Sequence, residues 1–485
     1  MSEISELKPT ALWKIFEDMC QVPRPSKNED RIQAFAVNFG EKLGLETFKD
    51  EIKNVIIKKP ATKGMENLKT VVLQAHLDMV PQKNSSSQHD FNKDSIKAYI
   101  DGDWVTAKDT TLGADNGIGA AAALAVLQAT DISHGPLEVL LTTDEETGMT
   151  GANEIKSGYL DADILINLDS EDEGELYIGC AGGIDTNGIF NYNKVEVPSN
   201  QSAYKIIVTG LKGGHSGLDI NYGRGNANKI LVKLLKDSAE KFGLRLAAIE
   251  GGDLRNAIPR EATAIIVVPE ANKEEFKKFA ANYEIEAKEE FKNADPGLLI
   301  NVDTTKIPAF LIEEKIQNKV FEAVDKFPNG PIAMDKKIPG VVETSTNMAV
   351  VKSNDKFVEI CSLQRSASDD DKMKLSDSIF KMLSDLGAKA EQAGDYPGWK
   401  PNVDSPILTT MKKVYEDNFG KTPAVKVIHA GLECGILGSV YTNWDMISFG
   451  PTIRSPHSPD EKVNIETVKK FWDYLLLTLI NIPRK

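Results

Sequence analysis

The first part of the chain alternates short apolar runs with amphipathic stretches, a pattern typical of strands alternating with helices. Apolar residues at three- and four-residue spacing predict helices over 9–20 and 30–43, and the alanine-rich stretch after Gly117 predicts another. The runs that predict strands lie near 52–58, 70–76, 137–143 and 163–168. Continuous apolar strands separated by helices are typical of a sheet that is buried on both faces. We therefore expect an α/β fold, with a mostly parallel sheet and helices on both faces.

The pattern changes after Gly183, where strands and helices follow one another in two similar series. Strands are predicted near 204–209, 262–268, 341–351 and 356–364, and helices near 225–235, 273–291, 315–326 and 370–386. The segments GGDLRNAIPREATAIIVV and ETSTNMAVVKSNDKFVEICSLQRS look like degenerate copies of one two-stranded unit, each with an asparagine (Asn256, Asn347) before its second strand. This repeat predicts an α+β domain over 188–399 that is internally doubled. It would be inserted into a discontinuous first domain formed by 1–187 and 400–485.

Length and composition narrow the class of protein. At 485 residues the chain exceeds the size at which one hydrophobic core keeps growing, which supports at least two domains. The 57 Lys and Arg residues against 72 Asp and Glu residues give a net charge of −15, which argues against nucleic acid or a membrane surface as a partner. The four cysteines are scattered without a CxxC pair, and no basic region followed by an apolar stretch opens the sequence. We therefore expect a cytoplasmic protein with reduced thiols.

Histidine and carboxylate side chains stand at or just after the ends of the apolar runs. They are His76 with Asp78, Asp115, Glu145 with Glu146, Asp169, and His457. Because open α/β sheets place their sites at the carboxyl ends of the strands, these side chains are expected to converge on one sheet edge. Two histidines with several carboxylates and no thiolate suit a hydrolytic zinc site, or a site for a similar divalent ion.

Each cluster also has an ordinary structural interpretation. Asp78 would share a strand face with His76 and orient its imidazole, or the pair would simply end a strand in solvent. Asp115 is either the N-cap of the helix that follows or a carboxylate that bridges two metal ions. Glu145 and Glu146 are either an acidic surface turn, or a metal ligand beside a general base.

The two remaining candidates are weaker when each is taken alone. Prolines stiffen the loop SPHSPDE around His457 and would pre-position a ligand there, although a lone loop histidine is usually just solvated. Asp169 is ambiguous as well, because aspartate commonly follows a strand. The clusters together support a metal site far more strongly than any one of them does.

Several motifs, in this order, resemble those of the zinc-dependent dipeptidase family that includes carnosinases, aminoacylases and glutamate carboxypeptidases. They are VVLQAHLDMVPQKN, TTLGADNGIGAAAALAVL, GPLEVLLTTDEETGM, ADILINLDSEDEGE, CAGGID, GLKGGHSGLDI, LRNAIPRE, HAGLECG and GPTIRSPHSPDE. The likeness covers essentially the whole chain. It implies a catalytic domain of the zinc-exopeptidase type and an inserted lid domain that completes the substrate site.

The resemblance implies a role for each of these residues. His76 and Asp169 would bind one zinc ion, Glu146 and His457 would bind the other, and Asp115 would bridge the two. Glu145 would be the general base, Asp78 the orienting carboxylate, and the peptide bond after Asp115 would be cis. Cobalt or manganese would fit the same ligands as zinc.

In the lid, the resemblance implies that His215 polarises the scissile carbonyl and that Asn256 and Arg365 hold the substrate. Arginine suits a two-pronged grip on a C-terminal carboxylate. His429 and Glu433, in HAGLECG, are further candidates near the substrate. The histidine matched by His215 acts across a homodimer in some relatives, and within one chain in others that have a doubled lid.

The expected activity is hydrolysis of dipeptides, preferentially those with a C-terminal histidine, and this preference comes from the resemblance alone. A deacylase or carboxypeptidase of the same family is the alternative among enzymes, since the metal residues do not separate them. A catalytically silent, metal-dependent binding protein is the alternative from another class. A nucleotide-binding protein is rejected, because no GxGxxG follows a predicted strand.

Overall fold

The computed structural model describes residues 3–485, and the chain divides into two compact units. The first unit contains the residues up to Gly179, Trp399–Val427 and Leu432–Lys485. The second contains Cys180–Gly398 and Ile428–Gly431, so it interrupts the chain of the first. Within the described residues, no helix combines the length and the apolar character needed to cross a membrane.

Helices and strands alternate along most of the chain. The helices are α1 (Thr10–Cys20), α2 (Asp30–Lys42), α3 (Ala114–Gln128), α4 (Glu145–Gly148), α5 (Thr150–Glu154), α6 (Ala227–Phe242), α7 (Lys273–Glu290), α8 (Glu314–Lys326), α9 (Asp369–Asp385), α10 (Pro406–Phe419), α11 (Glu433–Val440) and α12 (Ile465–Ile480). The strands are β1 (Glu46–Lys49), β2 (Val55–Lys59), β3 (Val71–His76), β4 (Ala98–Asp101), β5 (Trp104–Ala107), β6 (Leu137–Thr142), β7 (Ile164–Asn167), β8 (Glu175–Cys180), β9 (Gly182–Asn191), β10 (Lys194–Val195), β11 (Gln201–Thr209), β12 (Gly214–His215), β13 (Arg245–Gly251), β14 (Ala257–Ile258), β15 (Ala262–Pro269), β16 (Leu299–Thr304), β17 (Leu311–Ile312), β18 (Gly330–Met334), β19 (Val342–Ser353), β20 (Phe357–Ser366), β21 (Lys389–Tyr396), β22 (Ala424–Ile428), β23 (Asp445–Ser448), β24 (Ile453–Arg454) and β25 (Lys462–Asn464).

The first unit is built on an eight-stranded sheet in the order β1-β2-β6-β3-β7-β23-β8-β22. Its centre is parallel, as predicted, because β3 runs parallel to β6 and β7, and β23 runs parallel to β7. Antiparallel strands flank this centre, with β2 against β6 and β8 against β23. The residues of β3, β6 and β7 are buried throughout, which explains why these strands read as continuous apolar runs. The structure is therefore α/β, with a mixed sheet whose central strands are parallel.

The second unit is an antiparallel sheet made of two similar halves. The strand order is β16-β11-β15-β13-β19-β20-β9-β21, with β18 paired to β19. The first half contains β11, α6, β13, β15, α7 and β16 along the chain, and the second contains β9, α8, β19, β20, α9 and β21. Each half therefore places its four strands in the same relative order, and the halves meet where β13 pairs with β19. This arrangement agrees with the internal doubling predicted from the sequence.

The two asparagines of the predicted repeat lie in different surroundings. Asn347 lies inside β19, within the strand predicted near 341–351, whereas Asn256 lies in the turn just before β14. Its side-chain amide donates to the backbone carbonyls of Arg255 at 3.1 Å and Ala257 at 2.8 Å. Asn347 therefore holds the turn that contains Asn256, and the two asparagines do not occupy equivalent positions.

Candidate metal and substrate site

His76 is the last residue of β3 and lies at the carboxyl end of the parallel strands. It is 1% exposed, and its two ring nitrogens face different carboxylates. Nδ1 lies 3.4 Å from Asp78 Oδ1, whereas Nε2 lies 3.1 Å from Asp115 Oδ1 and 3.5 Å from Asp169 Oδ1. One nitrogen is therefore oriented by Asp78, and the other points at two carboxylates that could share a cation.

Asp115 lies at the start of α3, where the helix is interrupted by non-helical backbone angles. The peptide bond between Asp115 and Asn116 is cis, as the resemblance implied. The two carboxylate oxygens diverge, since Oδ1 faces His76 at 3.1 Å and Oδ2 faces His457 Nε2 at 3.3 Å. Asp115 therefore connects two histidines that come from distant parts of the chain.

Glu145 and Glu146 begin the short helix α4, directly after β6. Their backbone N–H groups donate to Asp78, from Glu145 to Oδ1 at 3.0 Å and from Glu146 to Oδ2 at 3.2 Å. The Ser26 hydroxyl also donates to Asp78 Oδ2, at 2.7 Å. The acidic turn is therefore anchored by its backbone, which leaves both glutamate side chains free for other contacts.

Asp169 follows β7, and His457 lies in the loop between β24 and β25. The Asn116 side-chain amide donates to Asp169 Oδ1 and to the carbonyl of Leu168, which fixes the aspartate next to α3. His457 has a positive φ of 59°, and its Nε2 lies 3.0 Å from Glu146 Oε2. Its side chain is 54% exposed, so this part of the cluster is open to solvent.

The predicted ligands fall into two groups that could each hold a metal ion. One is His76, Asp115 and Asp169, and the other is Asp115, Glu146 and His457, with ligand atoms within 4.8 Å of one another in each. A third combination, His76 with Glu145 and Glu146, meets the same distance. The first two groups share Asp115, which is the arrangement expected of a bridging carboxylate.

The electrostatics of the cluster suit a bound cation. Hydrogen bonds to Asp115 and Glu146 raise the pKa of His457 to about 11, and the surrounding carboxylates raise the pKa of His76 despite its burial. Burial raises the pKa of both Glu145 and Asp169 well above the ordinary carboxyl range. Among the described residues, Glu146 Oε1 is buried without a hydrogen-bond partner. Buried, crowded carboxylates with an unsatisfied oxygen fit divalent metal ions.

His215 belongs to the second unit, where it ends the short strand β12. Its Nδ1 accepts hydrogen bonds from the backbone N–H groups of Gly217 at 3.1 Å and Leu218 at 3.0 Å. Burial, followed by the charge of Arg365, lowers the pKa of His215. The ring is therefore neutral near pH 7, and its proton is on Nε2, because Nδ1 acts as the acceptor.

Arg365 is 5% exposed and lies near the end of β20 in the same unit. Its Nη1 donates to the Tyr396 hydroxyl at 2.7 Å, and its Nε approaches Ser216 Oγ at 3.5 Å. Since a guanidinium carries five N–H donors, these two contacts leave donors available for a carboxylate.

The other three predicted substrate residues lie in different surroundings. His429 is in the second unit, where its Nε2 lies 2.7 Å from Ser345 Oγ, and burial lowers its pKa to about 3. Glu433 is in the first unit, where one oxygen accepts from Gln74 at 2.6 Å and from Thr142 at 2.8 Å. Asn256 is exposed, and its backbone carbonyl accepts from Ser216 at 2.8 Å. The motif HAGLECG therefore divides between the two units.

Sequence reasoning missed three residues that contact the ligand loops. Ser26 and Arg24 lie in the polar segment PRPSKNED, and Glu461 lies four residues after His457. The hydrophobic pattern carries no signal for them, since all three types are ordinary in surface loops. An arginine flanked by two prolines, four residues after α1, was the feature that could have suggested Arg24.

Comparisons with known proteins identify a peptidase family. The family model for Peptidase family M20/M25/M40 matches residues 72–481. A curated relative, the cytosol non-specific dipeptidase of Escherichia coli (strain K12), is 47% identical over 489 residues and covers 100% of both sequences. The crystal structure of aminoacylhistidine dipeptidase from Vibrio alginolyticus is similar at a TM-score of 0.95 and 46% identity, over 100% of this chain and 99% of that chain. Aminopeptidase PepT from Bacillus cereus ATCC 10987 shares the fold at a TM-score of 0.60 and 18% identity, over 98% of this chain and 99% of that chain.

Proposed function

The chain belongs to peptidase family M20/M25/M40, and we propose that it is a dimetal dipeptidase that prefers substrates with a C-terminal histidine. The observation that carries the proposal is the position of Asp115 between two histidines. One of its oxygens lies 3.1 Å from His76 and the other 3.3 Å from His457. A carboxylate placed in this way suits two metal ions that share a ligand.

The metal ions are assigned to the two ligand groups described above. His76, Asp115 and Asp169 would hold one ion, and Asp115, Glu146 and His457 would hold the other. Imidazole and carboxylate donors without a thiolate suit zinc, and they also accept cobalt or manganese. When bound, such ions make water more acidic and polarise a carbonyl oxygen.

Glu145 is assigned as the general base. Burial raises the pKa of the Glu145 carboxyl group. Its proton affinity is therefore closer to that of the attacking water and the leaving amine. It would take a proton from the attacking water and later deliver that proton to the leaving amine. Its backbone N–H is held by Asp78, so the side chain starts from a fixed point. Asp78 would also keep His76 oriented through Nδ1.

His215 is assigned to the carbonyl oxygen of the scissile bond. Its Nδ1 is occupied by two backbone N–H groups, so Nε2–H is available to donate to the oxygen as negative charge develops there. Loss of one such donor typically lowers the rate by about 10²–10³. Arg365 is assigned to the substrate carboxylate, and Asn256, His429 and Glu433 are assigned to other parts of the substrate.

Two similar dipeptidases bear on the substrate breadth of this chain. The two similar dipeptidases have different names, one non-specific and one for aminoacylhistidine substrates. We propose that this chain acts on dipeptides with a free amino end, that histidine at the second position is preferred, and that it works in the cytoplasm. A homodimer stays a prediction, and the doubled second unit supports the alternative in which each chain supplies its own His215.

A substrate panel tests this proposal directly. The purified protein is given β-Ala-His, Gly-His, Ala-Ala, an N-acetyl amino acid and a tripeptide, each with added zinc and with a chelator. Chelator-sensitive cleavage of the two histidine dipeptides above all others is the expected result. Equal cleavage of Ala-Ala would remove the histidine preference, and cleavage of the acetylated compound would indicate a deacylase. Zinc binding without any cleavage would favour a binding protein.

A further inference from the structure

Two buried charges contact the ligand loops although neither is placed to bind a metal ion. Arg24 and Glu461 are each 2% exposed. Arg24 follows α1, and Glu461 immediately precedes β25, so they come from opposite ends of the first unit's sequence. Both side chains contact Gly113, because Arg24 donates to its backbone carbonyl and Glu461 accepts from its backbone N–H.

Arg24 joins the loop after β3 to the loop before α3. Its Nη1 donates to the backbone carbonyls of Leu77 at 2.9 Å and Asp78 at 3.0 Å, and its Nη2 donates to the carbonyl of Gly113. The first loop follows His76, and the second precedes Asp115. The Arg24 guanidinium therefore fixes the backbone next to His76 and next to Asp115. The contact between these two residues, at 3.1 Å, is the shorter histidine–aspartate contact in the first ligand group.

Glu461 contacts the loop before α3 as well, where it accepts hydrogen bonds from the backbone N–H groups. Its Oε2 accepts from Leu112 at 2.7 Å and Gly113 at 2.8 Å. Its Oε1 accepts from Ala114 at 2.7 Å and Asp115 at 3.2 Å. Both oxygens are thus fully used by successive backbone N–H groups, and the last of these belongs to Asp115 itself. Because each oxygen accepts from two N–H groups, the geometry suits the carboxylate form, and hydrogen bonds to an ionised acceptor are stronger than neutral ones.

Two glycines provide the room that Arg24 occupies. A Cβ atom on Gly117 would lie 2.6 Å from Arg24 Nη2 and 2.9 Å from the Phe16 ring. A Cβ atom on Gly113 would lie 2.5 Å from Arg24 Nη2, and Gly113 also has a positive φ of 72°. The glycines that flank Asp115 in LGADNG therefore admit the guanidinium as well as allowing the turn.

We propose that Arg24 and Glu461 are positioning residues that hold Asp115 and His76 at the separation the metal ions require. The proposal rests on the proposed function, because it concerns that same metal site. All the hydrogen bonds described for the two side chains go to backbone groups of the ligand loops. A buried charge is costly unless it is fully hydrogen-bonded, and here the bonds that satisfy both charges are the ones that fix the loops.

Conservative substitutions separate this role from a general contribution to folding. In Glu461→Gln, one accepting oxygen becomes an amide that faces two backbone N–H donors, so half of the loop's anchor is lost. In Arg24→Lys, the charge remains, but the planar fork that spans two loops does not. Glu138→Gln is the matched control in the same unit. Glu138 is 3% exposed, accepts the Asp161 backbone N–H at 3.0 Å, and pairs with Lys58 at 3.0 Å, away from the ligand groups.

The measurement is zinc affinity of the metal-free proteins, by competition with a chromophoric chelator, together with the visible spectrum of the cobalt-substituted forms. Both site variants are expected to bind zinc about 10–100-fold more weakly and to change the cobalt spectrum. Glu138→Gln is expected to bind as the unmodified protein does, even if it unfolds at a lower temperature.

Zinc affinities within about twofold of the unmodified protein in both site variants would overturn the proposal. Failure of both to fold would overturn it as well, since the pair would then serve the whole unit and not the site. If the unmodified protein binds no metal ion, the proposed function itself fails, and that result is distinct from unchanged affinity in the variants.

Discussion

The backbone N–H of Glu145 donates to Asp78 Oδ1 at 3.0 Å, so the proposed base and the carboxylate that orients His76 are directly joined. The other oxygen of Asp78 accepts from Glu146 at 3.2 Å and from Ser26 at 2.7 Å. A single aspartate therefore contacts a proposed histidine ligand, a proposed glutamate ligand and the proposed base. Because Glu145 is held through its backbone, we expect a change of its side chain to leave this hydrogen bond in place.

This separation predicts the behaviour of Glu145→Gln. The substitution keeps the shape of the side chain and the backbone contact with Asp78, but it removes the group that accepts a proton. We expect kcat to fall by about 10²–10⁴, the usual contribution of a general base, while two metal ions remain bound. Steady-state kinetics and metal analysis of the same preparation check this. Loss of metal in parallel with activity would mean that the roles of Glu145 and Glu146 are misassigned.

Removal of the metal ions should destabilise the first unit. Ligands that bind only the folded state add stability, about 2.7 kcal/mol when the free ligand is at 100 times its Kd. Without the ions, the carboxylates around Asp115 repel one another. We expect a chelator to lower the unfolding temperature and added zinc to restore it, as followed by calorimetry. In His457→Ala, which lacks one ligand, zinc is expected to restore only part of the difference. An unfolding temperature that does not change when chelator is added would contradict the metal assignment.

Tyr396→Phe is expected to affect substrate binding more than turnover. The Tyr396 hydroxyl accepts a hydrogen bond from Arg365 Nη1 at 2.7 Å, and a hydrogen bond to a charged group contributes about 1.5–3 kcal/mol. If Arg365 grips the substrate carboxylate before and during the reaction, KM should rise about tenfold or more with little change in kcat. Arg365→Lys, which keeps the charge without the fork, is the comparison. A fall in kcat at constant KM would instead place Arg365 in the chemical step.

Acid should destabilise the second unit through His429. Burial, followed by the positive charge of Arg365, lowers its pKa to about 3, whereas an unfolded histidine titrates near 6.5. The folded state thus binds fewer protons than the unfolded state between these values. The stability that neutral His429 contributes is complete above pH 6.5 and is lost as the pH falls towards 3. For this one group, we expect unfolding to cost about 2 kcal/mol less at pH 5 than at pH 8. Urea unfolding at both pH values, with His429→Gln as the comparison, checks this, because the variant should lose less.

Much of the first unit could be predicted from the sequence because its central strands are buried on both faces. The runs that end at His76 and before Glu145 are β3 and β6, and Asp169 follows β7 as expected. Burial on both faces leaves a continuous apolar run in the sequence, and the residue at the end of the run is then identifiable. The run near 52–58 is β2, although its antiparallel pairing with β6 was not predicted, and the neighbouring strand β1 was missed because it is half-exposed and carries no such run.

The parts of the site that were not predictable depend on tertiary contacts. Arg24 and Glu461 are buried charges whose partners are backbone groups more than fifty residues away in the sequence. A local sequence pattern depends on side-chain polarity. It therefore predicts that a charged residue in a polar loop is exposed to solvent. The same limit applies to Gly117, since only the structure shows that its missing side chain leaves space for Arg24.

The position of β23 between β7 and β8 sets the order in which the nascent chain can fold. Asn167, at the end of β7, pairs with Ser448, which leaves the ribosome about 280 residues later, or roughly 15–55 s at ordinary elongation rates. During that interval β7 presents an unpaired edge, which is a template for wrong pairing. The interrupting unit, by contrast, is almost complete once Gly398 has been made. We therefore expect the second unit to fold first during synthesis. The sheet that carries the proposed metal ligands would then depend on protection of its open edge until translation is nearly finished.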